Sequence, residues 1–173
     1  MSRRRWQVFY PTIAHLNSDR FLEDGIMKTL IVKSPAFEHN KFIPSKYTCD
    51  GEDVNPPLTI DGLPEKTKSL ALIVEDPDAP AGLWVHWLVW NISPTNVIKE
   101  NSIPGTEGLN TNKKHSYHGP CPPGGAHRYS FKVYALDAKL NISGLSEKEI
   151  LENAMQSHLI AQGELTGLYR RAK

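Results

Sequence analysis

The sequence predicts a mainly β fold, a β-sandwich with one main helix and long loops, on three observations. The apolar runs are short and β-branched, and they end at Pro, Gly, Asn or Asp, which is how strands are punctuated. One stretch repeats apolar residues at helical spacing behind a start signal. The connections between these runs are long and rich in proline, a composition that suits turns better than regular structure.

In chain order, residues 1–26 show little periodicity. Arg3, Arg4 and Arg5 ahead of Trp6–Tyr10 imitate the basic start of a signal peptide or a twin-arginine signal. Pro11 and His15 break the apolar stretch, and no small-residue cleavage site follows. The segment is therefore expected to be an N-terminal extension, disordered or non-native. Residues 27–173 are expected to form one domain, with Met27 leading directly into a first strand at Leu30–Val32. Leu70–Val74 reads as a buried strand ending at the turn-forming Asp76-Pro77-Asp78-Ala79-Pro80. Trp84–Ile92 is almost wholly apolar, so both its faces should be covered. Strict alternation along it would put Trp84, His86, Leu88 and Trp90 on one face. Tyr129–Leu136 alternates, with Tyr129, Phe131, Val133 and Ala135 on one side. Ser146 and Glu149 make a capping box for a helix carrying Ile150, Leu151, Ala154 and Met155. Leu165–Tyr169 closes the sheet. No internal repeat divides residues 27–173.

Composition narrows the function classes. A length of 173 residues suits one domain, and 39% hydrophobic with 23% charged residues fits a globular chain, not a disordered one. A formal net charge of +1 supplies no basic field toward nucleic acid or anionic membrane. No run of about 20 apolar residues exists to serve as a transmembrane segment. Cys49 and Cys121 are too few for a disulfide framework and lack metal-site spacing, so no metal or cofactor is expected. A reducing compartment is the default, and with it a cytoplasmic location.

Two segments gather polar residues where a strand meets a loop. In the first, Asp76 and Asp78 stand two apart and leave extended backbone on one face; alone, they read as turn residues capping backbone N–H groups. His86 follows within an apolar strand, where a lone histidine is more often a satisfied core residue than a ligand group. The second runs from Gly119 to Tyr129. His127 and Tyr129 face together, and Arg128 opposite reads as a surface or structural ion pair. The loop from Pro120 to Gly125 serves either as a rigid turn or as a cradle offering the N–H groups of Gly124 and Gly125.

Taken together, these segments carry a resemblance. Leu70–Ile92, with its Asp-Pro-Asp-Ala-Pro turn and His86-Trp87-Leu88-Val89-Trp90, resembles the first signature of the phosphatidylethanolamine-binding protein family. Tyr117–Tyr134, with Gly119-Pro120-Cys121-Pro122-Pro123-Gly124-Gly125-Ala126-His127-Arg128-Tyr129, is similar to the second. Tyr47–Gly51 and Asn55–Leu58 resemble the compact bacterial and archaeal subgroup, called Raf-kinase-inhibitor-like. Coverage runs from about Met27 to Arg171. The resemblance implies a β-sandwich with a small cavity that takes a phosphate-like anion or a phosphoethanolamine head group. Its pocket residues correspond to Asp76, Asp78, His86, Pro122, Pro123, His127 and Tyr129, with Cys121 where animal relatives have glycine. It also implies a cis bond at Ala79–Pro80. Because the sequence stops soon after Tyr169, the helix that borders the pocket in animal members has no counterpart, and a more open pocket is expected.

An anion site holding two carboxylates needs a division of labour. One Asp is expected to orient a histidine and raise its pKa, while the imidazolium and the Tyr129 hydroxyl donate to the anion. The other Asp is expected to meet a ligand ammonium. Binding should then strengthen as pH falls through about 7. The favoured function is a ligand-binding module, a ligand-gated regulator of a protein partner such as a kinase, with no catalytic residue. The alternative is a hydrolase or isomerase using the Asp/His/Tyr pocket with Cys121 as nucleophile, although that thiol reads equally as a small wall residue. A third reading has a vestigial pocket and an association surface, favoured if Trp84, Trp87 or Trp90 is exposed. A homodimer is the default assembly.

Overall fold

The computed structural model describes residues 28–172, so the extension expected at residues 1–26 and the start at Met27 lie outside the described residues. The strands are β1 (Lys28–Thr29), β2 (Ile31–Lys33), β3 (Leu58–Asp61), β4 (Ser69–Asp76), β5 (Trp84–Ile92), β6 (Val97–Ile98), β7 (Thr106–Glu107), β8 (His127–Leu136) and β9 (Leu159–Tyr169). Among the described residues one α-helix, α1 (Lys148–Met155), precedes β9, and a short 3-10 turn covers Ser45–Tyr47. The fold is mainly β, as expected, with two sheets. Six strands run in the order β1-β9-β8-β4-β5-β7, and three in the order β2-β3-β6.

The first expected strand is in fact divided between the sheets. β1 pairs parallel with β9, whereas β2 pairs antiparallel with β3. The chain crosses at Leu30, which is buried and donates its N–H to the Gln162 carbonyl at 2.8 Å. Gly163 makes the crossing feasible, since a Cβ there would lie 2.3 Å from the Leu30 oxygen. The early strands β3, β6 and β7 carry too few residues to show periodicity, which is why pattern alone did not locate them.

The main core lies between the sheets. Val32, Leu58, Ile60 and Ile98 of the smaller sheet meet Leu70, Leu72, Val74, Phe131, Val133 and Leu165 of the larger. A second core covers the outer face of the six-stranded sheet. There Ala71, Ile73, Leu88 and Trp90 pack under Leu140 and under Leu151 and Met155 of α1. β4 and β5 are therefore covered on both faces, as their apolar runs require.

Strict alternation along β5 does not hold. Val74 pairs with Trp87 and Glu75 with Val85, so His86 is an extra residue, a β-bulge. His86 and Trp87 consequently both face the main core, while Val85, Leu88 and Trp90 face the outer one. A second irregularity lies between the pairs Leu72–Val89 and Leu70–Ile92, where Asn91 adopts φ 55°, a left-handed conformation that asparagine tolerates. The grouping of Trp84 and His86 with Leu88 and Trp90 is thus corrected by one inserted residue. Trp87 and Trp90 are core residues, not an association surface.

The helix start is also corrected. Glu147 occupies the N-cap position, and no side chain caps the helix. Ser146 is buried one position earlier, its N–H bonded to Ser143 and its carbonyl to the Leu109 N–H, so it is part of the incoming turn. No helix among the described residues is long and apolar enough to cross a membrane.

Phe131 sits in the main core with its ring 5.7 Å from that of Phe37. Phe131→Ala should cost about 3–5 kcal/mol in denaturant unfolding, the range for an aromatic cavity that neighbours fill only partly. A loss below about 1 kcal/mol would mean that the sheets close over the gap.

Candidate functional site

At one end of the large sheet, β4 runs out at Asp76, β5 begins at Trp84 and β8 begins at His127. A cavity of about 260 Å³ opens between these ends and the Cys121–Pro123 loop. Its polar floor is Asp76, His86, His127 and Tyr129, with His118 beside them. Its walls are apolar: Ala79, Pro80 and Ala81 on one side, Pro122 and Pro123 on the other, and Trp84 between.

Asp76 is a buried carboxylate with both oxygens engaged. Oδ1 accepts the Asp78 N–H at 2.8 Å, which forms the turn, and Oδ2 lies 2.8 Å from Nδ1 of His127. Since an ionised carboxylate can only accept, His127 donates from Nδ1 and leaves Nε2 for the cavity. Asp78 does not line the cavity. Arg128 grips it with Nε at 2.9 Å, Nη2 at 2.7 Å and a backbone N–H at 2.9 Å. That guanidinium holds the Asp78 carboxyl down to about 2. The turn and ion-pair readings of Asp78 and Arg128 therefore describe the structure, and the expected meeting of a second Asp with a ligand ammonium is corrected.

His86 combines the satisfied core histidine expected of its strand with a place in the cavity lining. Its ring is buried beneath Tyr129, with centroids 5.3 Å apart, and its Nδ1 lies 2.6 Å from the His118 carbonyl oxygen. Burial pushes its pKa down to about 4, a loss that the His118 carbonyl only partly offsets. Near neutral pH His86 is therefore a neutral imidazole, so it is not the histidine that could supply an imidazolium. The ring of His118 stacks on it at 5.8 Å, and its Nδ1 lies 3.5 Å from Asp53. Neither His118 nor the lining role of Trp84 was visible in the sequence. His118 reaches the site because its N–H and carbonyl both bond to His86, the N–H to the backbone oxygen at 3.1 Å, and no periodicity reports such a contact.

Tyr129 is fully buried, and its hydroxyl has no hydrogen-bond partner of good geometry. Burial, then the neighbouring Asp76 carboxylate, pushes its pKa well above the usual phenol value, so the hydroxyl keeps its proton.

Cys121 lines the cavity but has no thiol to offer, because it forms a disulfide with Cys49. The expectation of free thiols, and of Cys121 as a nucleophile, is corrected: residues 72 apart in sequence were brought together by packing that cysteine count does not reveal. The disulfide ties the Pro loop to the 3-10 turn. Gly119 permits this close approach, since a Cβ there would lie 2.6 Å from the Tyr47 oxygen. Gly124 and Gly125 are exposed and absent from the lining, so their N–H groups are not the cradle considered above. No peptide bond among the described residues is cis. The turn at Ala79–Pro80 closes instead through the Asp76 side chain and the Gly82 N–H, which bonds to the Ala79 carbonyl at 3.0 Å with Gly82 at φ 99°.

A two-sheet β fold with a small cavity where three strand ends meet defines a β-sandwich class, and comparison with known proteins says which. Residues 33–170 match the family model for phosphatidylethanolamine-binding protein, and the chain belongs to that family. Its relatives place it in the bacterial and archaeal subgroup. It is 45% identical over 179 residues to a UPF0098 protein of Archaeoglobus fulgidus, covering 98% of this chain and 61% of that relative. It is 46% identical to one of Methanothermobacter thermautotrophicus, covering 81% of this chain and 98% of that one. Among solved structures, a phosphatidylethanolamine-binding protein homologue from Chlamydia trachomatis superposes with a TM-score of 0.81 at 43% identity, covering 84% of this chain and 99% of that one. E. coli YbcL, described as a member of the mammalian family, gives 0.75 at 30%, with 83% and 99% covered. Family membership makes this a ligand-binding protein in general terms.

Two outcomes test the site's construction. His86 has a folded pKa near 4 against an unfolded value near 6.5, so between these values the unfolded chain binds more protons. Its contribution to stability is therefore whole above about pH 6.5 and lost as pH falls toward 4, on the order of 3 kcal/mol. Urea unfolding at both ends of that window should show the loss, and His86→Asn, which keeps a donor toward His118, should diminish it. Replacing both cysteines by serine should lower stability by about 2–4 kcal/mol, the range for a constraint removed from the unfolded chain. An unchanged midpoint would mean that packing alone holds the loop.

Proposed function

We propose that the cavity binds the phosphate-like anionic head of a small molecule, with the Tyr129 hydroxyl and Nε2 of His127 as its donors. The observation that carries this is the Tyr129 hydroxyl itself, a fully buried donor with no well-aligned protein partner, although Asp76 and the Cys121 backbone lie close by. Burying an unpaired hydroxyl costs about 1–3 kcal/mol, a cost that a ligand oxygen in the cavity removes. The Asp76–His127 bond supports the same reading. It orients the imidazole and leaves Nε2 toward the ligand space, with the Asp76 carboxylate behind the ring. Pro80, Trp84, Pro122 and Pro123 suit the organic part of the ligand.

A ligand bound there would restrain the turn from Asp76 to Trp84. That rim, where Leu83 is exposed, is the surface through which a ligand-gated protein partner would sense occupation.

Thermal-shift and calorimetric titration with phosphate, ethyl phosphate and phosphoethanolamine tests this. Saturable stabilisation is expected, about 2.7 kcal/mol at a hundred times the dissociation constant. It should weaken about tenfold or more in Tyr129→Phe and His127→Ala, since each removes a donor to a charged oxygen. Both carboxylates near the turn are already engaged, so phosphoethanolamine should bind within about threefold of ethyl phosphate, as a solvent-exposed ammonium adds little. No shift with any of the three would end the anion reading.

A further inference from the structure

The protons in the cavity can be assigned from hydrogen-bond chemistry. His86 Nδ1 faces the His118 carbonyl oxygen at 2.6 Å, and a carbonyl only accepts, so the proton lies on Nδ1. A neutral imidazole has a single N–H. Nε2 of His86 is therefore a bare acceptor, and no protein donor meets it among the described residues. Around this ring stand Asp76 from β4, His127 and Tyr129 from β8, and His118 and Asp53 from the loops. None of these is a permanent cation, and no lysine or arginine lines the cavity.

A site built for any anion would present donors throughout. This one presents the Tyr129 hydroxyl, Nε2 of His127 with Asp76 behind its ring, and a lone pair at His86. An oxyanion without a proton would set an oxygen lone pair against the lone pair of Nε2, and repulsion between acceptors is how a site rejects an isostere that lacks a donor.

We propose that the cavity selects oxyanions that bring their own acidic proton, the protonated phosphate monoesters, whose P–OH donates to Nε2 of His86 while other oxygens accept from Tyr129 and His127. This deepens the oxyanion reading above and rests on it. Sulfate esters, equal in shape but without that proton, are excluded.

Calorimetry on the full chain with methyl phosphate and methyl sulfate makes the test. Near pH 5.5 both esters are largely monoanions, because a phosphate monoester loses its second proton only at about 6. His86 remains neutral there. Methyl phosphate should bind at least about tenfold more tightly. The ratio should shrink toward about pH 8 as the ester loses its proton. His86→Gln, whose amide can donate, should bring methyl sulfate to within about threefold of methyl phosphate. Equal affinities for wild type near pH 5.5 would overturn the selectivity and leave oxyanion binding standing. Binding of neither ester would overturn both.

Discussion

A strand buried on both faces leaves no water to satisfy the polar groups at its end, and β4 ends on Glu75 and Asp76. Each carboxylate must therefore find its partner within the protein. Glu75 points to the outer core, where Lys132 lies alongside and Lys148 of α1 comes within 2.9 Å. Burial pushes the Glu75 carboxyl up, but the two lysines outweigh it and the net direction is down. Asp76 points to the other side and takes His127. The same requirement, met on opposite faces, ties the helix to the sheet and assembles the cavity floor.

The bulge at His86 is what turns this strand end into a site. Without the extra residue, His86 would fall on the face opposite Trp87, away from Tyr129. With it, β5 supplies a core tryptophan and a cavity histidine side by side. The cost is a ring held in a nearly dry environment, and the physical result is a neutral imidazole with a fixed tautomer. Burial keeps the ring neutral, and the His118 carbonyl fixes which nitrogen carries the proton.

The loop opposite is rigid for a different reason. Prolines at 120, 122 and 123 limit its backbone, and the Cys49–Cys121 disulfide fastens it to the 3-10 turn. The Asp53 carboxylate adds a bond to the Gly119 N–H at 2.6 Å. The cavity is thus framed by one wall clamped covalently and another closed by the Asp76 turn, with Trp84 also in the lining.

By itself the sequence determined the fold class and the long strands near Leu70, Trp84 and Tyr129, and its family resemblance implied the grouping of Asp76, His86, Pro122, Pro123, His127 and Tyr129 around one cavity. Apolar runs, turn residues and two extended motifs are local properties, legible in one dimension. What only the tertiary structure decided is how those residues are used. Asp76 and Asp78, two apart and alike on paper, separate because one meets His127 and the other Arg128. His86 is neutral because neighbouring elements exclude water, and His118 joins it through backbone bonds across 32 residues. Cys49 and Cys121 are paired because two loops pack together. Charge state, tautomer and pairing depend on distance and dielectric, which a string of residues does not contain until it has folded.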